Sequence, residues 1–185
     1  MPYGSEPSQL LKQRLTYQGR KFSFECSQLR LPNEQEGEWE WIRHPGGALA
    51  VPVTAEGKFV LVRQYRFAVQ GQLLEFPAGT VEPNETPEQT IQREIEEETG
   101  YHADRWRKLG EIFVAPGYSD EIIYAFLAQD LTLLDNPPSQ DEDEDIETVL
   151  LSAAEVEKAI HLGDIADAKT ISSYFLACPF LPEIQ

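Results

Sequence analysis

The chain has 185 residues, of which 41% are hydrophobic and 25% charged, so it suits one compact domain, or one domain with a small appendage, and can bury a core. Its formal net charge of −17 argues against a phosphate-backbone binder, and we expect no nucleic-acid partner. No apolar run approaches the roughly 20 residues that span a membrane, and the N-terminus has no apolar signal-peptide core. Cys26 and Cys178 are too few for a disulfide framework or a zinc site. We therefore expect a cytoplasmic protein with no membrane partner.

Apolar, strand-like stretches occupy much of the first half of the chain, at 22–31, 38–44, 48–54, 58–67 and 72–76. The Ala-Glu-Gly turn at 55–57 predicts that the two strands beside it pair as a hairpin. The stretch at 77–85 contains proline, glycine and asparagine and is predicted to be a loop.

The most clearly delimited helix follows this loop. Thr86 and Gln89 have the spacing of a capping box, and Pro87 stands at the first helical position, where proline is tolerated. Gly100 is typical of the residue that ends a helix. The sequence therefore predicts a helix over residues 87–99.

The second half of the chain mixes strands with helices. Strands are predicted at 106–114, 121–128 and 148–152, and helices at 153–163 and 167–177. This order lacks the regular alternation of strand and helix that is typical of a doubly wound sheet.

Four glutamates fall within five positions of the helix, at 94–98. At 100° per residue, Glu94 and Glu98 border the apolar stripe formed by Ile91 and Ile95. Carboxylates at the edge of a buried face must be paired or must coordinate a metal, and Arg93 alone cannot neutralise three of them. Oxygen ligands on successive helical turns suit Mg²⁺ or Mn²⁺. The alternative is a solvated acidic face, which charge runs usually form.

The stretch GTVEPNETPEQTIQREIEEETGY, residues 79–101, resembles the Nudix box at each of its fixed positions. One position departs from the usual pattern, since Tyr101 stands where an aliphatic residue is commoner. The resemblance implies an α/β fold, a Nudix α/β/α sandwich with a mixed sheet, in which a loop–helix–loop holds divalent ions. It also implies hydrolysis of a nucleoside diphosphate linked to another group, with metal ions offsetting charge on the pyrophosphate.

The resemblance assigns a role to each residue of the box. It implies that Glu94, Glu98 and the carbonyl of Ala78 are metal ligands. Glu97 would be a further ligand or a nearby charge, and it is grouped with Arg93 as catalytic. The residues expected to be structural are Gly79, Glu85 and Gly100. Arg93 would form an ion pair with Glu85.

Features outside the box resemble the ADP-ribose pyrophosphatase branch of the family. They include Pro116, which lies 16 residues after Gly100, and the stretches VRQYRF and LEFPAG, although Ala115 stands where serine is commoner. The branch implies a homodimer built by an N-terminal β subdomain, residues 1–47, beside a catalytic domain, residues 48–185. It implies Mg²⁺-dependent conversion of ADP-ribose to AMP and ribose 5-phosphate. The alternatives are another nucleoside diphosphate sugar or a dinucleotide as substrate, or a non-catalytic ligand sensor.

Residues 141–147 contain six acidic side chains. Such runs are usually solvated, disordered loops. In the resembled pyrophosphatases, however, an acidic loop before a late strand supplies the general base. By that resemblance Glu142 is expected to be the base and Glu144 to lie near the metal.

Several residues outside these segments are candidate substrate contacts. Arg63 and Arg66 are three residues apart, so a regular strand cannot place both on one face, and one of them could clamp a phosphate. A surface ion pair is the alternative for either arginine. Glu121 could reach a substrate hydroxyl or the partner subunit. Aromatic residues could stack on adenine, although we expect each to pack in the core instead: Trp41, Phe67 and Tyr118.

Overall fold

The computed structural model describes residue 4 and residues 6–139 and 146–181. In chain order its strands are β1 (Gln9–Gln18), β2 (Ser23–Arg30), β3 (Glu36–Arg43), β4 (Gly47–Pro52), β5 (Phe59–Arg66), β6 (Gly71–Glu75), β7 (Ala78–Thr80), β8 (Tyr101–Phe113), β9 (Ile122–Leu133) and β10 (Ile146–Leu151). The helices are α1 (Pro87–Thr99), α2 (Ala153–Leu162) and α3 (Ala168–Ala177), and a 3₁₀ turn, Cys178–Phe180, follows α3.

The chain divides into two compact units. The first contains residues 1–45 and 113–122, and the second contains residues 46–112 and 123–185. The first unit is built on an antiparallel sheet in the order β1-β2-β3, in which Tyr17 of β1 lies opposite Phe24 of β2. β1 was not predicted, because all ten of its residues are exposed and no buried face imposes an alternating pattern on them.

The second unit contains two sheets. One has the strand order β7-β4-β9-β8 and is mixed, since β4 is parallel to β9 and antiparallel to β7. The other has the order β10-β5-β6, and β5 is antiparallel to both of its neighbours. The short strand β7 lies inside the stretch that was predicted to be a loop.

The predicted hairpin between β4 and β5 is wrong. A single bridge joins Val53 to Phe59, and Thr54 accepts a backbone hydrogen bond from Gly57 at the turn, but the strands then enter different sheets. All six residues of β4 are buried, as are the first four of β5. A strand that is buried on both faces needs a packed layer on each side, which two separate sheets with their helices provide.

The helices cover both faces of the mixed sheet. Ala48 and Ala50 of β4 pack with Ile91 and Ile95 of α1, whereas the alternating residues of β4 point to the opposite face. α3 also contacts β4, and the described part of the chain has no helix long and apolar enough to cross a bilayer. This layering confirms the predicted α/β/α sandwich with a mixed sheet.

Candidate active site

Capping interactions fix the position of α1. Thr86 accepts a hydrogen bond from the Gln89 amide at 3.3 Å, and the Gln89 side chain accepts one from the Thr86 amide at 2.9 Å. Gly100 has a φ of 75°, and its amide donates to the Glu96 carbonyl. These interactions satisfy backbone groups at both helix ends, so α1 has the predicted bounds of 87–99 and its side chains have a fixed phase.

The rotation of α1 about its axis removes two glutamate carboxylates from most of the solvent. Ile91 and Ile95 are fully buried, Glu98 is 3% exposed, and the Glu94 side chain is 13% exposed. Glu94 and Glu98 therefore border the apolar stripe, as the helical projection predicts. A buried carboxylate is costly unless it is hydrogen-bonded or paired with a positive charge. The solvated-face alternative is thus wrong for this pair of residues.

The two carboxylates meet successive residues of β7. The Ala78 amide donates to Glu98 Oε2 at 3.1 Å. A Cβ added to Gly79 would overlap Glu94 Oε1, far inside contact distance. Gly79 therefore provides the space that the Glu94 carboxylate occupies. The sequence identified Gly79 only through the family resemblance, because this close approach is a tertiary contact.

Arg93 contacts three carboxylates. Its Nε lies 3.2 Å from Glu85 Oε1, and its Nη1 lies 2.9 Å from both Glu94 Oε1 and Glu97 Oε2. Hydrogen bonds to Glu85 are the main cause of the raised pKa of Arg93, and those from Arg93 are the main cause of the lowered pKa of Glu85. The Thr90 hydroxyl also donates to Glu85. Arg93 thus joins the loop before α1 to the acidic face of the helix.

The donor set fits a hard divalent cation. Glu94 and Glu98 supply carboxylate oxygens beside the backbone of Ala78 and Gly79, and Mg²⁺ and Mn²⁺ prefer such oxygen ligands. Within the described ranges, no three acidic, histidine or cysteine side chains converge on one point. A cation here would therefore need a further ligand, for which the Ala78 carbonyl and Glu97 are candidates. Glu142 and Glu144 lie outside the described residues.

Arg63 and Arg66 have different surroundings. The Arg63 side chain is half-exposed and lies 3.4 Å from Glu147 of β10, which is the arrangement of a surface ion pair. Arg66 donates from Nε and Nη2 to Glu75 Oε2, at 2.9 and 2.5 Å, and Glu75 is 2% exposed. Sequence reasoning missed Glu75, although a lone acidic residue in the apolar strand QLLEF is a signal that could have identified it.

Pro116 and Glu121 belong to the first unit. Pro116 lies in a turn that is closed by a 3.0 Å hydrogen bond from the Tyr118 amide to the Ala115 carbonyl. The Glu121 carboxylate lies 3.7 Å from Nδ1 of His44. Both residues remain predicted substrate contacts.

Two aromatic residues that were expected in the core are exposed instead. Phe67, the residue after β5, is 83% exposed, and Tyr118 is 62% exposed. The core-packing expectation is wrong for both, because each lies in a turn rather than on a buried strand face. Trp41 is half-buried and lies beneath the guanidinium of Arg43.

Comparisons with known proteins agree with this geometry. The NUDIX domain model matches residues 30–174. The chain is 36% identical over 154 residues to the ADP-ribose pyrophosphatase of Bacillus subtilis (strain 168), covering 83% of each chain. It is 35% identical over 161 residues to the methanol dehydrogenase activator of Bacillus methanolicus, covering 87% of each.

A solved structure shares the fold. The crystal structure of an ADP compounds hydrolase superposes with a TM-score of 0.81, at 23% identity, over 95% of each chain. Nudix hydrolases generally use divalent metal ions, which suits the carboxylates on α1. From the family match over residues 30–174 and the relatives that cover most of its length, this chain belongs to the NUDIX family.

Proposed function

We propose that this protein hydrolyses the pyrophosphate bond of ADP-ribose to give AMP and ribose 5-phosphate, with Mg²⁺ or alternatively Mn²⁺. The observation that carries the proposal is that buried Glu98 and partly buried Glu94 meet two successive residues of β7. The choice of substrate is supported by the Bacillus subtilis relative, which bears the name of that activity.

In this proposal Glu94, Glu98 and the Ala78 carbonyl hold the divalent ion, and Glu97 adds a ligand or a nearby charge. A bound divalent ion offsets negative charge on the pyrophosphate and lowers the pKa of a bound water. Arg93 holds Glu94 and Glu97 in place through its 2.9 Å contacts. The carboxylates thereby keep a geometry that is set before substrate arrives.

The substrate side of the proposal uses residues of β5 and of the loops. Arg66 donates to a phosphate oxygen, since a guanidinium presents charged N–H groups that match phosphate. By the family resemblance, Glu142 would accept a proton from the attacking water and Glu144 would be associated with the metal. Water oxygen then bonds to one phosphorus while the bond from that phosphorus to the bridging oxygen breaks. Further substrate contacts are proposed at Arg63, Pro116 and Glu121.

The proposal includes a cytoplasmic homodimer with residues 1–47 as the dimerisation element and residues 48–185 as the catalytic domain. The exposure of β1 supports a dimer, because Leu10, Leu15 and Tyr17 are each more than half exposed on a ten-residue strand. Exposed apolar side chains on a long strand are typical of an interaction surface. The two free cysteines are compatible with a reducing compartment.

A substrate panel tests this function. ADP-ribose, a guanosine diphosphate sugar and a diadenosine polyphosphate are each incubated with the protein and Mg²⁺, and the products are separated. We expect the highest kcat/KM for ADP-ribose, with AMP and ribose 5-phosphate in equal amounts. A higher kcat/KM for another compound would overturn the substrate assignment. Binding of ADP-ribose without cleavage of any compound would instead support a ligand sensor.

A further inference from the structure

A chain of four charged side chains links α3 to β6 and β5. Asp167 accepts from the Thr170 amide as the N-cap of α3, and its other oxygen lies 3.0 Å from Lys169 Nζ. Lys169 Nζ also lies 3.1 Å from Glu75 Oε1, and Glu75 Oε2 accepts both hydrogen bonds from Arg66. The charges alternate, and two cations balance two anions. We call this set the charge chain.

The charge chain is largely removed from solvent at one end and open at the other. Glu75 is 2% exposed, and the side chains of Lys169 and Asp167 are 15% and 13% exposed, whereas that of Arg66 is 36% exposed. Glu75 uses two of the five N–H donors of Arg66. Arg66 is thus the member of the chain that a ligand can reach.

Arg66 also lies within electrostatic range of Glu98. Burial acts to lower the pKa of Arg66, but hydrogen bonding to Glu75 and the negative charges of Glu75, Glu98 and Asp167 raise it above its ordinary value. The guanidinium is therefore positively charged and feels the charge of Glu98 on α1. An anion that binds beside Glu98 meets this charge.

We propose that Lys169 is a positioning residue that compensates the buried charge of Glu75 and so leaves the positive charge of Arg66 available to a phosphate of the substrate. This inference rests on the proposed function. Without Lys169, one arginine faces two carboxylates and the charge chain has a net charge of −1. A pyrophosphate substrate carries two negative charges and is repelled by such a site.

A purely structural role for Lys169 makes a different prediction. α3 is also attached through other contacts near its start and middle: Thr170 accepts from the Phe76 amide at 3.0 Å, Tyr174 packs edge-on against Phe59 at a centroid distance of 5.4 Å, and the Tyr174 hydroxyl donates to Glu157. These contacts hold α3 without Lys169. If Lys169 served only to anchor α3, restoring charge balance in its absence would not restore substrate binding.

Three variants separate the two roles. Lys169→Met removes the charge, Lys169→Arg keeps it, and the double variant Asp167→Asn with Lys169→Met returns the charge chain to neutrality. Asparagine at position 167 preserves the helix cap, because it caps as well as aspartate. Calorimetry measures the Kd of an ADP-ribose analogue with a methylene group between the phosphorus atoms, with Mg²⁺, and kinetics measure KM and kcat for ADP-ribose.

We expect Lys169→Met to raise Kd and KM about tenfold while kcat changes less than about threefold. Lys169→Arg should stay near wild type, and the double variant should recover most of the lost affinity. Wild-type affinity in Lys169→Met, or a double variant that binds as weakly as Lys169→Met, would overturn the inference. The proposed function would stand in either case, provided that the wild type cleaves ADP-ribose. A wild type that neither cleaves ADP-ribose nor binds the analogue would overturn both.

Discussion

Helices α1 and α2 begin and end in the same way. Each starts with a capping box, formed by Thr86 with Gln89 in α1 and by Ser152 with Glu155 in α2. Each ends at a glycine in the left-handed region, with φ of 75° in the first and 83° in the second. Local capping chemistry therefore does not distinguish the two helices.

The acidic side chains of the two helices differ in where they lie. α1 buries Glu98 beside two isoleucines, whereas the residue that α2 buries is Val156. Glu155 of α2 is exposed and forms part of the capping box with Ser152. Glu157 is also exposed and accepts a hydrogen bond from the Tyr174 hydroxyl. Caps thus define the bounds of a helix. A carboxylate on the buried face indicates a functional helix, because burial alone disfavours the charged carboxylate.

The largest effect should come from Glu98→Gln, compared with Glu157→Gln in α2. The substitution replaces an anionic carboxylate ligand of the proposed site by a neutral amide, so kcat for ADP-ribose should fall about 10³-fold or more. Glu157→Gln should leave kcat within about twofold. Steady-state kinetics with Mg²⁺ measure both, and circular dichroism checks that both variants are folded. Equal kcat values for the two variants would remove the distinction between the helices.

Gly79→Ala should have the next largest effect, and it should act on activity more than on stability. The added Cβ overlaps the end of the flexible Glu94 side chain, which can move aside and thereby leave its position at the site. We expect kcat to fall about 10- to 100-fold, with a change in Tm of only a few degrees.

The matched control is Gly110→Ala in β8. A Cβ there would meet Leu176 Cδ1 at 3.5 Å, an ordinary contact, so activity should be unchanged. If Gly79→Ala kept full activity, the placement of Glu94 against β7 would have no catalytic importance.

Thr86→Ala and Ser152→Ala should destabilise the protein to the same extent. Each removes the side-chain half of a capping box, which should lower the free energy of unfolding by about 1 kcal/mol. Urea unfolding measures this value for both variants. A much larger loss in one of them would mean that the capping boxes are not equivalent.

The smallest effect concerns His102, which follows α1. Its hydrogen bond to Glu96 is the main cause of its raised pKa. A raised pKa gives stability that is fully present below the unfolded value of about 6.5 and is lost as pH rises through the folded pKa. Because the side chain is 47% exposed, the contribution should be at most about 0.5 kcal/mol.

The free energy of unfolding of the wild type and of His102→Gln, measured from pH 6 to 9, tests this effect. The range includes the unfolded histidine pKa of about 6.5 and values above it. The wild type should be the more stable at the acidic end, and the difference should shrink as pH rises. A difference that grows with pH would contradict the assigned sign.

Local signals in the sequence predicted α1 with its full bounds, because a capping box and a terminal glycine determine them. The burial of Glu98 was also predictable, since it follows from helical periodicity once Ile91 and Ile95 are placed inside. The strand β1 was not predictable in this way. Its residues, QLLKQRLTYQ, are all exposed, and its strand conformation comes from pairing with β2.

Contacts between distant segments account for the rest of what the sequence did not show. The separation of β4 and β5 into two sheets depends on which strands join later, namely β9 beside β4 and β10 beside β5. The charge chain was missed for the same reason, because Glu75 and Lys169 are 94 positions apart. Nothing in either local segment indicates that the two side chains meet.

Direct measurement of metal binding is the most decisive test of the account, whose central claim is that Glu98 and Glu94 beside β7 hold a divalent cation. Mn²⁺ is titrated into the wild type, Glu98→Gln and Glu157→Gln, and binding is followed by electron paramagnetic resonance. We expect the wild type and Glu157→Gln to bind equally and Glu98→Gln to bind at least about 100-fold more weakly. Equal Mn²⁺ affinity in all three proteins would contradict the account.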